Sequence, residues 1–158
     1  VSEPLPIGVL ASGAGTNLQA LIDDVHGREA RIVGVASDRP GAAALGRAER
    51  AGIETAAFPL ASGEPRAERD ARMAAWMAER GARLVVLAGY MQLLGPEFLG
   101  CFPDAVINVH PSLLPAFPGL RAVEQALAYG VHVFGVSVHL VDAGVDTGPL
   151  ILQGAVCI

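Results

Sequence analysis

Lysine is absent: all 11 basic side chains are arginine, set against 16 acids for a net charge of −5. A lysine-free stretch has no side-chain amine for Schiff-base chemistry. The arginines stand singly or at helical spacing among acids, as at Arg66, Arg69 and Arg72. They form no basic cluster, which argues against nucleic acid as a partner. Cysteine is scarce too. Cys101 and Cys157 are far apart and match no metal or redox spacing, so they read as free, mostly buried thiols of a reducing cytoplasm. No apolar run approaches the ~18 residues a membrane helix needs, and the first six residues lack the layout of a secretory signal. What is plentiful is apolar surface, 52% of the chain. That excludes disorder and predicts one domain over residues 1–158 with a real core, without repeats or linkers.

The pattern along the chain is strand, turn, helix. Ile7–Ala11 is a short apolar strand, followed by Ser12-Gly13-Ala14-Gly15-Thr16-Asn17. Leu18, Leu21, Ile22 and Val25 then share a helix face, with Thr16 or Asn17 available to cap it. Strands are predicted over 31–37, 53–58 and 83–88, and helices over 42–51 and 66–80. Met73, Trp76 and Met77 form the inner stripe of the latter helix. The apolar loop Gly89–Pro96 follows, then a short helix over 97–101. A helix over 121–129 should face inward through Val123, Ala126 and Leu127. Strands over 134–141 and 150–156 flank a Gly-rich acidic loop, Asp142–Pro149. The order predicts an α/β fold, doubly wound around a mostly parallel, Rossmann-like sheet, with an antiparallel strand pair near the C-terminus.

The chemistry concentrates where Ala105, Val106 and Ile107 lead into Asn108-Val109-His110-Pro111. Alternate side chains share a strand face, so Asn108 and His110 project together, about 7 Å apart. Pro111 cannot donate to a ladder and should end the strand there. In open α/β sheets, ligands bind at such carboxyl ends. A second polar group runs from His139 to Asp146, with Ser137 on the same strand face as His139. Were the two groups to converge, a carboxylate beside the imidazole would favour its protonated form, able to donate to a developing oxyanion. No serine or cysteine stands out as a nucleophile, which favours direct attack by a substrate amine over an acyl-enzyme.

Other readings of these residues remain open. Asp142 and Asp146 could be plain Asx-turn residues. A metal site from His110, His139, Asp142 and Asp146 matches no standard spacing. The turn at Gly13–Gly15 begins a dinucleotide fingerprint, with Asp38 as a candidate ribose acid, but Leu18 replaces its third glycine. A phosphate monoester fits the turn as well, since its backbone N–H groups open a helix.

The segments Ala11–Leu18, Ala88–Met91, Asn108–Pro115 and Asp142–Pro149, in this order, resemble the phosphoribosylglycinamide formyltransferase family of folate-dependent enzymes. The resemblance runs from about residue 7 to the end. It implies transfer of the formyl group of 10-formyltetrahydrofolate, a co-substrate, to the amine of phosphoribosylglycinamide in purine biosynthesis, without a metal and in the cytoplasm. It also implies roles by position. Asn108, His110 and Asp146 fall on the catalytic set, with His110 as proton donor, Asp146 favouring its charged form and Asn108 holding the formyl oxygen. Gly15, Thr16 and Asn17 match the turn that binds the substrate phosphate. Arg66, Met91, Gln92, Leu93, Leu94, Asn108 and the loop Asp142, Ala143, Gly144, Val145, Asp146 match the folate site. Ser137 and His139 match positions that support the acid. Monomer and homodimer both fit.

Two departures qualify the resemblance. Gln92 stands where the family usually has arginine, weakening a pterin contact. The family also continues beyond the position of Ile158 into a helix whose lysine and glutamate help bind the ribonucleotide. The expectation for these 158 residues is weak ribonucleotide binding and an exposed apolar patch. The rival activities are formyltetrahydrofolate deformylase, which directs water at the same carbon, and a non-catalytic nucleotide-binding module.

Overall fold

A computed structural model describes residues 3–158. The chain divides into two compact units, one ending at Val106 and the other spanning Ile107–Ile158.

In the first unit, β1 (Leu5–Leu10), α1 (Thr16–Asp24), β2 (Ala30–Ser37), α2 (Ala43–Arg50), β3 (Thr55–Ala57), α3 (Arg66–Glu79), β4 (Leu84–Leu87) and α4 (Pro96–Leu99) alternate. The strands are parallel and lie in the order β3-β2-β1-β4. Their near-continuous apolar runs suit a sheet covered on both faces: Val9, Leu10, Val35 and Val85 are fully buried. From α3, Met73 and Met77 are fully buried against this layer. Gly34 leaves room for Trp76, whose ring would lie 2.7 Å from an added Cβ. The chain runs outward from β1 through β2 to β3 and returns on the other side at β4. The order therefore reverses between β1 and β4, a switch point whose carboxyl end is the usual ligand crevice of such sheets.

α1 begins differently from expectation. Neither Thr16 nor Asn17 caps it; the N-cap is Gly15, in the left-handed region at φ 74°, with no side-chain cap. Gly15 is required on two counts, since an added Cβ would also lie 2.7 Å from the Ala44 backbone.

The second unit holds β5 (Val106–His110, entering from the first), α5 (Ala122–Tyr129), β6 (Val133–Leu140) and β7 (Leu150–Cys157). β6 pairs antiparallel with both β5 and β7. The expected class, α/β with a mostly parallel sheet and antiparallel pairing near the C-terminus, is the observed one. β5 ends at His110, as Pro111 dictates. Two expectations fail. Val123 and Leu127 on α5 are 40% and 62% exposed, because the short helix rests on Ala122 and Ala126 instead. Both cysteines are exposed rather than buried, Cys101 lying just past α4 and Cys157 at the end of β7, a strand whose residues are all exposed.

Arg69 and Asp70 are 1% and 0% exposed. Arg69 Nε–H donates to Asp70 Oδ1 at 2.8 Å, and Nη2 approaches the same oxygen at 2.8 Å without hydrogen-bond geometry. Asp70 Oδ2 accepts the N–H of Gly95 at 2.8 Å, anchoring the start of α4. Removing one partner of such a pair strands the other charge in the interior. Asp70→Ala is therefore expected to cost about 3–5 kcal/mol of stability in chemical denaturation; a loss below about 1 kcal/mol would show that the pair is not what holds this region.

Candidate active site

The tip of β5 and the loop between β6 and β7 meet. His110 Nδ1 lies 3.3 Å from Asp146 Oδ2, and His139 Nε2 lies 3.4 Å from Asp146 Oδ1. Asn108 Nδ2 is 3.3 Å from His139 Nε2 and 3.4 Å from Asp146 Oδ1. Antiparallel register produces this: Asn108 sits opposite His139, and His110 opposite Ser137. The side chains of His110, His139 and Asp146 are 6%, 3% and 9% exposed. A carboxylate so enclosed must be hydrogen-bonded, and the Gly119 N–H supplies the shortest bond, 2.7 Å to Oδ2.

Each ring nitrogen of His110 faces an acceptor, Nδ1 the carboxylate and Nε2 the Phe117 carbonyl at 2.9 Å. A doubly protonated ring satisfies both. His139 Nδ1 faces the Leu140 carbonyl at 2.8 Å, so it carries the proton, and in the neutral ring Nε2 is free to accept from the Asn108 amide. The segment after His110 thus wraps its own histidine. It is tied down by Ser137 Oγ, which donates to the Ser112 carbonyl (2.7 Å) and accepts from Leu114 N–H (3.0 Å) and Gln153 Nε2 (2.9 Å). Ser137 therefore holds the loop, while His139 meets the acid through the Asn108 amide, which bonds both. Phe117 and Asp146 both have positive φ, 50° and 52°, a strained conformation of the kind that clusters at working sites. A cavity of ≈ 340 Å³ opens beside Asp146, lined by Leu114, Pro115, Pro118, Val145 and Leu150 among others.

The acids of the loop separate into two kinds. Asp142 is an Asx-turn residue: its Oδ1 accepts from Thr147 Oγ1 (2.7 Å) and from Gly144 N–H (2.9 Å). Those two bonds, the Thr147 hydroxyl foremost, hold its carboxyl below the usual value. Ala143, Gly144 and Val145 are exposed. Among the described residues, no group of three or more His, Cys, Asp or Glu is placed to hold a metal.

In the first unit, Thr16 and Asn17 are exposed at the start of α1, and Gly15 is buried beneath them. Sequence reasoning missed Arg47 here. Its Nε–H donates to the Ala14 carbonyl (2.7 Å) and Nη1 to Gln19 (3.1 Å), which puts a positive charge against a turn that has no lysine. Arg47 lies 33 residues from Ala14, and an arginine on an amphipathic helix reads as a solvated one; no local signal marks it. Arg66 is exposed at the start of α3. Beyond β4, Met91 and Leu93 are 54% and 51% exposed, Gln92 is half-buried and Leu94 is buried. Burial pushes the Tyr90 phenol well above its ordinary value, so Tyr90 anchors this segment as a neutral residue. Asp38 is no free ribose acid, because it accepts the Ser12 hydroxyl.

Relatives bear on this geometry. A phosphoribosylglycinamide formyltransferase of Mycobacterium tuberculosis is 47% identical over 153 residues, which cover 96% of this chain and 71% of the relative. The human trifunctional purine biosynthetic protein adenosine-3 is 43% identical over 152 residues, 95% of this chain and 15% of that much longer protein. Among solved structures, glycinamide ribonucleotide transformylase 1 from Symbiobacterium toebii superposes with a TM-score of 0.94 at 48% identity, covering 99% of this chain and 75% of its own. The sequence model of the formyl transferases matches residues 6–158. With that match running through the turn at Gly15, the β5 tip and the Asp146 loop alike, the chain belongs to the formyl transferase family.

Proposed function

We propose that this formyltransferase moves the formyl group of 10-formyltetrahydrofolate to the amine of phosphoribosylglycinamide, in purine biosynthesis. The observation that carries the reading is the convergence of Asn108, His110 and His139 on one enclosed carboxylate, Asp146. The relatives' names supply the substrate class.

The amine attacks the formyl carbon, and a C–N bond forms as the carbonyl oxygen gains negative charge. His110 Nε2–H donates to that oxygen, which requires it to leave the Phe117 carbonyl. Asn108 offers a second N–H, since its bonds of 3.3 and 3.4 Å are long enough for a better-placed oxygen to displace one. The nitrogen sheds a proton to Asp146; the carbonyl then reforms as the bond to folate N10 breaks, and N10 takes up the proton Asp146 gives back, leaving the acid a carboxylate again. Until it takes that proton Asp146 stabilises the charged His110, and His139 positions the Asn108 amide that bonds the acid.

Each unit offers binding groups for this reaction. In the first, the Gly15–Asn17 turn takes the phosphate, helped by the start of α1, and Arg66 with Met91–Leu94 takes folate. In the second, Asn108 and Asp142–Asp146 contact folate. Two exposed, unbridged thiols are in keeping with a cytoplasmic location.

Incubation with 10-formyl-5,8-dideazafolate and phosphoribosylglycinamide should release deformylated folate, followed by absorbance, only when both are present. Release with folate alone would point to the deformylase, and no release in either case to a binding module. His110→Ala and Asp146→Ala are each expected to lower kcat by about 10²–10⁴-fold with folate affinity largely kept; near wild-type rates in either variant would falsify the assigned roles. The loop carries a pH signature. Because the Asp142 carboxyl is lowered in the folded chain, the order it lends is present above the ordinary aspartate value and is lost only as pH falls through the lowered one. Thr147→Val should move the Asp142 titration, read by carboxyl NMR, toward higher pH.

A further inference from the structure

The switch point between β1 and β4 carries a buried hydroxyl that the reaction as described does not use. Ser12 follows the end of β1 and is 1% exposed. Its Oγ–H donates to Asp38 Oδ1 at 2.5 Å, and the same oxygen accepts the Met91 N–H at 2.9 Å. Its own N–H donates to the Gly89 carbonyl at 3.1 Å. One residue therefore grips the segment after β4 twice, at Gly89 and Met91, and reaches the acid beyond β2 with its hydroxyl proton. Asp38 is itself largely enclosed, with its side chain 8% exposed, and Arg39 lies no nearer than 4.0 Å.

Elsewhere the held segment is secured by the buried Tyr90 and Leu94 side chains and by the Gly95 N–H on Asp70. Gly89 has φ 74°, and the residue after it, Tyr90, is sunk into the core. Met91 then emerges with its side chain 54% exposed. The backbone turns from interior to surface at Met91, and the Ser12 hydroxyl is the acceptor at that point. Its direction is fixed in turn, because a hydroxyl has one proton and Asp38 takes it, leaving the oxygen's lone pairs toward Met91.

We infer that Ser12 and Asp38 are positioning residues for the formyl donor: they hold the Met91 backbone so that Met91–Leu94 presents a fixed wall to folate. This deepens the proposed function and rests on its assignment of Met91–Leu94 to the folate site. Ser12 also leads into Gly13–Asn17, but its contacts run to the folate segment, so the effect should fall on that substrate.

The test is steady-state kinetics of Ser12→Ala, Asp38→Ala and Asp38→Asn, with hydrogen exchange at the Met91 amide. Ser12→Ala and Asp38→Ala should each raise the KM for 10-formyl-5,8-dideazafolate about tenfold, with kcat and the ribonucleotide KM within about twofold. Asp38→Asn keeps an oxygen acceptor and should restore most of the folate KM. The Met91 amide should exchange faster in Ser12→Ala, with the core strands unchanged. An unchanged folate KM in Ser12→Ala would overturn the inference, as would kcat and both KM values worsening together. If the wild-type chain shows no folate-dependent turnover, the proposed function fails. The exchange experiment then still decides whether Ser12 holds Met91: unchanged protection in Ser12→Ala overturns it.

Discussion

A carboxylate taken out of water has to be surrounded by donors, and the second unit is arranged around that need at Asp146. The Gly119 N–H, the Asn108 amide and the His110 ring bring donors to its two oxygens, while His139 Nε2 accepts from the same Asn108 amide. These partners come from β5, from the segment after it and from β6, so the acid draws together pieces distant in sequence. It does so with its own backbone in the left-handed region, and the surrounding bonds offset a conformational cost of about 1–3 kcal/mol. A group that costs this much to keep is better explained by chemistry than by stability.

The first unit solves a different problem with the same means. Parallel strands leave their carboxyl ends as loops, and at the switch point between β1 and β4 those loops must diverge. Ser12 holds them at a set separation through two backbone contacts and one acid. The nearby turn is shaped by a glycine no other residue could replace, and by the Arg47 guanidinium on the Ala14 carbonyl. Both features belong to backbone placement, and the side chains of Thr16, Asn17, Met91 and Leu93 stay exposed.

What was legible in the sequence follows from range. The order of strands and helices and the stop at Pro111 are local, and each appears in the fold, though the third strand is shorter, Thr55–Ala57, than the 53–58 expected. Asp146 is 36 residues from His110 in sequence, and composition alone could equally make it a turn residue like Asp142; only the folded chain brings it to the imidazole. Arg69–Asp70 was hidden because an arginine at helical spacing among acids has the pattern of a solvated face. Val123 and Leu127 misled for the converse reason, since apolar spacing announces a buried stripe and two alanines carried it instead. Ser12 was hidden inside a glycine-rich turn, where a serine is ordinary.

Trp76, the single tryptophan, lies in α3, with the Arg80 guanidinium 3.8 Å over its ring and Phe58 edge-on at 6.0 Å. Its emission is therefore a local instrument. It reports melting of the helix and sheet around it in the first unit, and a neighbouring cation tunes its brightness. The unit that carries Asn108, His110 and Asp146 has Tyr129 as its only phenol or indole, on a side chain 80% exposed. Light selected for tryptophan can thus follow the larger unit through unfolding while the smaller one, with its enclosed Asp146, stays dark.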